Sequence, residues 1–417
     1  MDKTVVVAGY GIEGKAAYEY YLSKGYSVAI ADERLELPDA PEAKEVRTIL
    51  GPQSFSKLED FDLIIRSPSI HPSKLPYGKK VWSTTNEFFK ECPAHIIGVT
   101  GTKGKGTTSG LITSILQAAG KTVHLVGNIG TPSLAELSKV KADDMVVFEL
   151  SSFQLWDLKK SPHVAVVLGI EPDHLDVHTD MDDYVAAKAN ITTHQSADDL
   201  LVFNRNNVVA SSIAEKSQAR KMPYPTDMTA FADALVIPGA HNIENASAAI
   251  AAVAEYVTDL AIVRNGLASF EGLPHRIKFV REVAGVKYYD DSYSSAPTAS
   301  IAALKSFTQP RVILLGGFDK GADYTELAAY IAHEATVKTI VYGAVRERIA
   351  ADLRRESVDE ARITILPTTD FTNIIKTAAE LSEPGGVILL SPGCASFDMF
   401  RNFTDRGEQF VRIVESL

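Results

Sequence analysis

The chain has 417 residues, 45% of them hydrophobic and 23% charged, with a formal net charge of −11 and two cysteines. At ~150 residues per domain this length points to about three domains, with enough core to fold without disulfides or a structural metal. The acidic balance argues against a general nucleic-acid binder, and the distant pair Cys92 and Cys394 offers no disulfide framework and suits a reducing compartment.

The opening MDKTVVVAGYGIEG runs straight into a strand-like segment with no signal-peptide apolar region, and no apolar run of about 18 residues follows, so a cytoplasmic protein without membrane contact is expected. Short β-branched runs predict strands at residues 4–8, 27–31 and 62–65 in the first third of the chain. They recur at 96–100, 145–150, 164–169 and 200–204, and again at 286–290, 311–315, 339–342, 362–366 and 386–391. Each precedes Gly or Asp and then a helical pattern. Such alternation means βαβ units, an α/β fold with parallel sheets, and ligands at the carboxyl ends of strands. Boundaries fall near Glu91–Ala94 and near Phe270–Arg276. They divide the chain into 1–93 (Rossmann-like), 94–272 (P-loop-type ATPase) and 273–417 (Rossmann-like).

The first glycine loop, Gly9-x-Gly11-x-x-Gly14, follows a strand and opens a helix, and Asp32 ends the next strand. That is the dinucleotide fingerprint: glycines admit a close backbone approach, and the helix N-terminus favours an anion. The pattern suits NAD, FAD or a UDP-type diphosphate alike, and it also suits a tight turn with no ligand.

The second loop lies in GVTGTKGKGTT, residues 98–108. Strand, glycine-rich loop and helix form an anion-binding nest of backbone N–H groups, in which Lys105 can reach β- and γ-phosphates. Gly106 stands where Ser or Thr usually follows the lysine, so Thr107 or Thr108 must supply a hydroxyl to Mg²⁺. Glu149, at the tip of the strand in VVFEL, is a hard oxygen ligand suited to the same ion. His174 sits between Asp173 and Asp176. Lys188 lies on a predicted helix and by itself reads as a solvated lysine.

GTKGKGTT resembles the phosphate loop of the Mur ligase family. VGNIGTP, FELSSFQL, EPDHLDVH, YVAAKANI, GAHNIENASAA, GLPHR and SPGCASFDMFRNFTDRG resemble further segments of that family, in the same order and across all three predicted domains. ELSSFQL and the CASFDMF segment are most similar to its glutamate-adding branch. The resemblance implies a cytoplasmic, monomeric, ATP-dependent ligase that adds D-glutamate to UDP-N-acetylmuramoyl-L-alanine in peptidoglycan precursor synthesis. It implies ATP and two Mg²⁺ ions as cofactors, and an acyl phosphate followed by a tetrahedral intermediate.

The resemblance also implies roles residue by residue. Gly101, Thr102, Lys103, Gly104, Lys105, Gly106 and Thr107 would hold ATP with Asn242, Asn245, Arg276 and Asp291, the last through the ribose. Thr107, Glu149, His174 and a carbamylated Lys188 would organise the metal ions. Carbamylation needs a neutral amine, hence surroundings that lower the lysine pKa. Gly9, Gly11, Asp32, Arg34, Ser67 and Asn128 would hold the UDP-sugar. Ser295, Lys320, Ser396 and Phe403 would hold glutamate, with Lys320 also catalytic.

The chain departs from the family pattern at four places. Tyr293 replaces a lysine, Ser295 a threonine and Lys103 an asparagine, and Gly106 follows the loop lysine. These changes leave the identity and stereochemistry of the amino acid open, and leave a folylpolyglutamate-type ligase with another acceptor as the alternative. An NAD-dependent dehydrogenase would leave Lys105, Glu149, His174 and Lys188 unexplained. A catalytically silent nucleotide-binding partner would not need both metal-ligand candidates.

Overall fold

The computed structural model describes residues 3–41, 46–76 and 80–417 and contains three sheets. The first comprises β1 (Thr4–Ala8), β2 (Ser27–Asp32), β3 (Thr48–Leu50), β4 (Leu63–Arg66) and β5 (Val81–Ser83), in the order β3-β2-β1-β4-β5. The second comprises β6 (His95–Thr100), β7 (Val123–Gly127), β8 (Met145–Glu149), β9 (Val164–Val167), β10 (Leu200–Asn204) and β11 (Arg220–Tyr224), in the order β11-β10-β9-β6-β8-β7. Every pairing in these two sheets is parallel. Their inner strands are runs of mostly buried apolar residues because both faces are covered by helices.

The third sheet comprises β12 (Lys278–Val283), β13 (Val286–Asp290), β14 (Arg311–Gly316), β15 (Val337–Tyr342), β16 (Ile363–Ile365) and β17 (Val387–Leu390), in the order β12-β13-β17-β14-β15-β16. It is parallel except for the β12–β13 hairpin, whose register slips between Phe279 and Arg281.

The predicted interior strands are present, three of them shorter: β8 stops at Glu149, β9 stops at Val167, and β17 runs only from Val387 to Leu390. The strands without a sequence signal are β3, β5, β7, β11 and β12. All five lie at sheet edges, and β12 carries charges on its open face, so the apolar run that marks a buried strand is missing.

The chain forms two compact units. One runs to Ala234 and includes Glu244–Leu267; the other comprises Leu235–Ile243 and Ala268–Leu417. The first unit holds two sheets that share one apolar core: Phe88 and Phe89 of helix Thr84–Glu91 pack on Phe148 of β8. No helix among the described residues is long and apolar enough to cross a membrane.

Candidate active site

In the first sheet, strand order reverses at β1, and the loops after β1 and β4 meet there, where a parallel sheet binds its ligand. Ser67 Oγ donates to Gly9 O at 2.5 Å. A β-carbon at Gly14 would fall inside the van der Waals radius of Gly9 O, so the third glycine of the fingerprint is required for packing alone. Asp32 is committed: it accepts Tyr10 N–H at 2.7 Å, Arg34 N–H at 3.0 Å and the forked Arg34 guanidinium at 2.9 Å. Burial would raise the Asp32 pKa, but the Arg34 and backbone hydrogen bonds outweigh it and bring it to about 2. In a dinucleotide site this carboxylate would receive a ribose hydroxyl; here it orients an arginine whose side chain stays 55% exposed.

In the second sheet the order reverses at β6, and the loops after β6, β8 and β9 converge. Residues 101–104 turn from β6 into helix Lys105–Ala118. Gly104, the N-cap, has φ +84°, and a β-carbon there would strike Asn245 Oδ1. Thr102 stitches the loop to the end of β9. Its N–H donates to Gly169 O at 2.8 Å, its Oγ1 accepts Glu171 N–H at 2.9 Å, and Oγ1 lies 3.0 Å from Tyr184 OH. Lys103 pairs with Glu171 on the surface at 3.2 Å. The amines of Lys105 and Lys188 converge on Gly101 O, at 3.0 and 2.8 Å.

Lys188 is 1% exposed, and its amine stands 4.7 Å from the centre of the Tyr184 ring. Burial, reinforced by the Lys105 charge, pushes its pKa well below the ordinary lysine value, against the weaker pull of Asp173 and Glu149. Its surroundings therefore favour the uncharged amine.

Glu149 is buried at the tip of β8. Its Oε1 accepts Asn128 Nδ2 at 3.1 Å, while Oε2 is buried with no hydrogen-bond partner. A buried carboxylate oxygen without a partner costs about 1–3 kcal/mol unless a ligand engages it. No three His, Cys, Asp or Glu side chains among the described residues converge at metal spacing. The open Glu149 oxygen suits Mg²⁺, which takes one or two protein carboxylates and completes its shell with phosphates and water. Thr107 is half-buried in the first turn of the loop helix, and Thr108 Oγ1 lies 3.4 Å from Asn245 Oδ1.

His174 holds a left-handed φ of +53°, an uncommon state for a non-glycine residue; its side chain is half-exposed and its ring lies 5.0 Å from that of Phe153. The structure adds residues the sequence reading left unassigned. His178, 2% exposed, bonds Asp183 through Nδ1 and Ser152 through Nε2, both at 2.9 Å. It thereby ties helix Ser152–Leu155 to helix Met181–Thr193, which carries Lys188. Its five-residue spacing from Asp183 was the only sequence signal.

In the second unit, loops at the carboxyl ends of β13, β14 and β17 gather the remaining residues. Phe318 N–H donates to Ala395 O at 2.8 Å, joining the loop of Lys320 to that of Ser396. Lys320 is exposed, its amine 5.4 Å from the centre of the Phe397 ring; Ser396 is buried and Phe403 partly exposed. Arg276 lies between His275 and Ile277, both at positive φ. His275 Nδ1 bonds Asp290 at 2.6 Å, and Ile277 N–H donates to Asp291 Oδ1 at 3.2 Å. The Arg276 guanidinium stacks 3.8 Å over Tyr293, the residue in the family-lysine position. Asp291 is 4% exposed and takes Ser391 Oγ–H at 2.6 Å; burial raises its pKa to about 7. Ser295 is exposed, and Asn242 donates to Pro238 O at 2.6 Å.

Residues 3–78 match the MurD-like N-terminal domain of Mur ligases, residues 99–234 the Mur ligase middle domain and residues 275–394 the Mur ligase glutamate ligase domain. The UDP-N-acetylmuramoylalanine--D-glutamate ligase of Acetivibrio thermocellus is 36% identical over 453 aligned residues, which cover all of this chain and 97% of the relative. Among solved structures, UDP-N-acetylmuramate-alanine ligase MurC from Thermotoga maritima aligns over 100% of both chains with TM-score 0.63 and 17% identity. MurF ligase from Thermotoga maritima in complex with ADP aligns over 100% of this chain and 95% of its own, with TM-score 0.58 and 18% identity. These two structures share the fold.

Proposed function

This chain belongs to the Mur ligase family, and from that premise we propose that it joins D-glutamate to UDP-N-acetylmuramoyl-L-alanine at the expense of ATP, in peptidoglycan precursor synthesis. The observation that carries the chemistry is the cluster at the second sheet: a glycine-rich phosphate loop, two lysine amines on one carbonyl, and a buried glutamate with an open oxygen.

The reaction must make a carboxylate electrophilic. The L-alanyl carboxylate takes the γ-phosphoryl group of ATP, the glutamate amine attacks the acyl phosphate, and phosphate leaves from the tetrahedral intermediate. Bringing a triphosphate and a carboxylate together is opposed by their charge, so positioning and charge neutralisation do most of the catalysis. Backbone N–H groups of 101–107 cradle the phosphates, and Lys105 turns from its carbonyl partners to the β- and γ-oxygens. Glu149 and Thr107 would hold a first Mg²⁺, and His174 with Lys188 a second. Bound there, the ions neutralise the phosphate oxygens. Lys188, once neutral, can add CO₂ and lose a proton, and the oxygens of the resulting carbamate would help hold the second ion.

On the first sheet, the Gly9–Gly11 loop, the Asp32-oriented Arg34 and Ser67 take the UDP moiety, and Asn128 faces the sugar. Asn242, Asn245, Arg276 and Asp291 are assigned to ATP. Ser295, Lys320, Ser396 and Phe403 are assigned to glutamate, with Lys320 countering its carboxylate. We place the protein in the cytoplasm, because its substrates are soluble anions, and take it as a monomer. The test is phosphate release from ATP with UDP-N-acetylmuramoyl-L-alanine and a panel of D- and L-amino acids. Release with D-glutamate alone is expected; release with another amino acid, or none at all, overturns the assignment.

A further inference from the structure

Arg66 closes β4, is fully buried, and spends all of its N–H groups on two segments far apart in sequence. Nη1 donates to Ile70 O at 3.0 Å and to Phe153 O at 3.2 Å. Nη2 donates to Phe153 O at 3.3 Å and to Asp157 Oδ1 at 2.6 Å, and Nε to Asp157 Oδ2 at 3.2 Å. One planar group thus spans the loop 67–70, whose Ser67 holds Gly9, and the segment that follows Glu149. We propose that Arg66 is a positioning residue for the ligase reaction: it registers the UDP-substrate loop of the first sheet against helix Ser152–Leu155, and so against Phe153 and the residues it supports.

The far side of that helix shows what the register controls. The Phe153 ring lies 5.0 Å from His174 and 5.7 Å from His178, and Ser152 Oγ is 2.9 Å from His178 Nε2. A shift of the helix therefore moves His174 and, through His178 and Asp183, the helix of Lys188. The joint between the two sheets does not depend on Arg66. Asn86 Nδ2 separately donates to Asp157 O and its Oδ1 accepts Lys159 N–H, each at 2.8 Å, and Phe88 and Phe89 pack on Phe148. Lysine at 66 keeps the charge but cannot fork to Asp157 and reach two carbonyls at once. Arg66→Lys should fold with the sheets joined and the register loose.

Trp156 reports on this joint: its ring packs 5.0 Å from Phe153, 4.9 Å from His178 and 4.7 Å from His71, with the Arg66 guanidinium at 5.8 Å. The other tryptophan, Trp82, is removed as Trp82→Phe in the full-length chain. Titration with UDP-N-acetylmuramoyl-L-alanine should then change Trp156 emission in the presence of Arg66. Arg66→Lys should bind this substrate within about threefold of the parent by calorimetry, lose the emission change, and show kcat lower on the order of 10- to 100-fold at similar KM, the scale of a misplaced catalytic group. If Arg66→Lys does not fold, Asp157→Asn, which keeps the arginine, is held to the same outcomes. Parental kcat, or a loss confined to KM, overturns the proposal. The inference rests on the ligase reading: a parent that releases no ADP defeats that reading, whereas an active parent with an indifferent Arg66→Lys defeats this inference alone.

Discussion

Lys188 and Lys105 share one acceptor, the Gly101 carbonyl oxygen, at 2.8 and 3.0 Å. Two ammonium groups this close repel, and the buried one is the cheaper to discharge. The two amines therefore oppose each other's charge, and the lowered pKa falls on the buried one, Lys188.

Replacing Lys188 by alanine should lower kcat on the order of 10²–10³-fold, the scale for losing one preorganised electrostatic group. Short carboxylic acids should restore part of the activity by occupying the place of the carbamate. Arginine at 188 stays charged and fills the space, so it should be inactive and refractory to rescue. Phosphate release with and without acetate measures both. Full activity of Lys188→Ala removes the residue from the mechanism.

The sequence made the phosphate loop and Glu149 visible because both are local: strand, glycines, helix, and a carboxylate at a strand tip. The interior strands were visible for the same reason, as continuous apolar runs. Lys188 was not visible from its surroundings, since in YVAAKANI it reads as a solvated helix lysine. Its hydrogen-bond partner, Gly101 O, lies 87 positions away, and only the family resemblance pointed to it. Arg66 drew no reading at all: it lies one residue past the strand predicted at 62–65, and its carboxylate partner lies 91 positions on. Asp291 was expected from the family to meet a ribose. Its near-complete burial follows from the packing of Ser391 and Ile277 around it, which no short stretch reveals.

That burial makes Asp291 a stability liability. Its folded pKa of about 7 lies above the ordinary 3.8, so the native state binds the proton more tightly than the unfolded chain. Stability is therefore highest below about pH 3.8 as far as this group is concerned, falls as pH rises to about 7, and stays reduced above. Asparagine cannot ionise, and its amide oxygen can still accept Ile277 N–H. Asp291→Asn should melt higher than the parent at about pH 8, by roughly 2–4 °C for each kcal/mol gained, with the difference shrinking towards about pH 4. A melting difference that is constant with pH would show that Asp291 does not titrate in this way. If the ribose role is also correct, the more stable variant should have a higher KM for ATP.

His124 carries the opposite dependence. It sits on β7 between two carboxylates, Nδ1 at 2.9 Å from Glu136 and Nε2 at 3.0 Å from Asp144, with all three side chains largely buried. A neutral imidazole has one N–H and can satisfy only one of them. Burial alone would lower the His124 pKa, but the two hydrogen bonds and the two charges outweigh it and raise it. The stabilisation is thus complete below the unfolded value of about 6.5 and is lost as pH rises through the folded pKa. Lys139 also binds Glu136, at 2.8 Å. His124→Gln should therefore melt lower than the parent near pH 6, and the gap should narrow at about pH 9. Because β7 leads into Asn128, which holds Glu149 at 3.1 Å, parental activity should weaken over the same alkaline window while the variant shows no such step. Equal melting differences at both pH values would mean that the imidazole is neutral throughout and that one carboxylate is held by Lys139 alone.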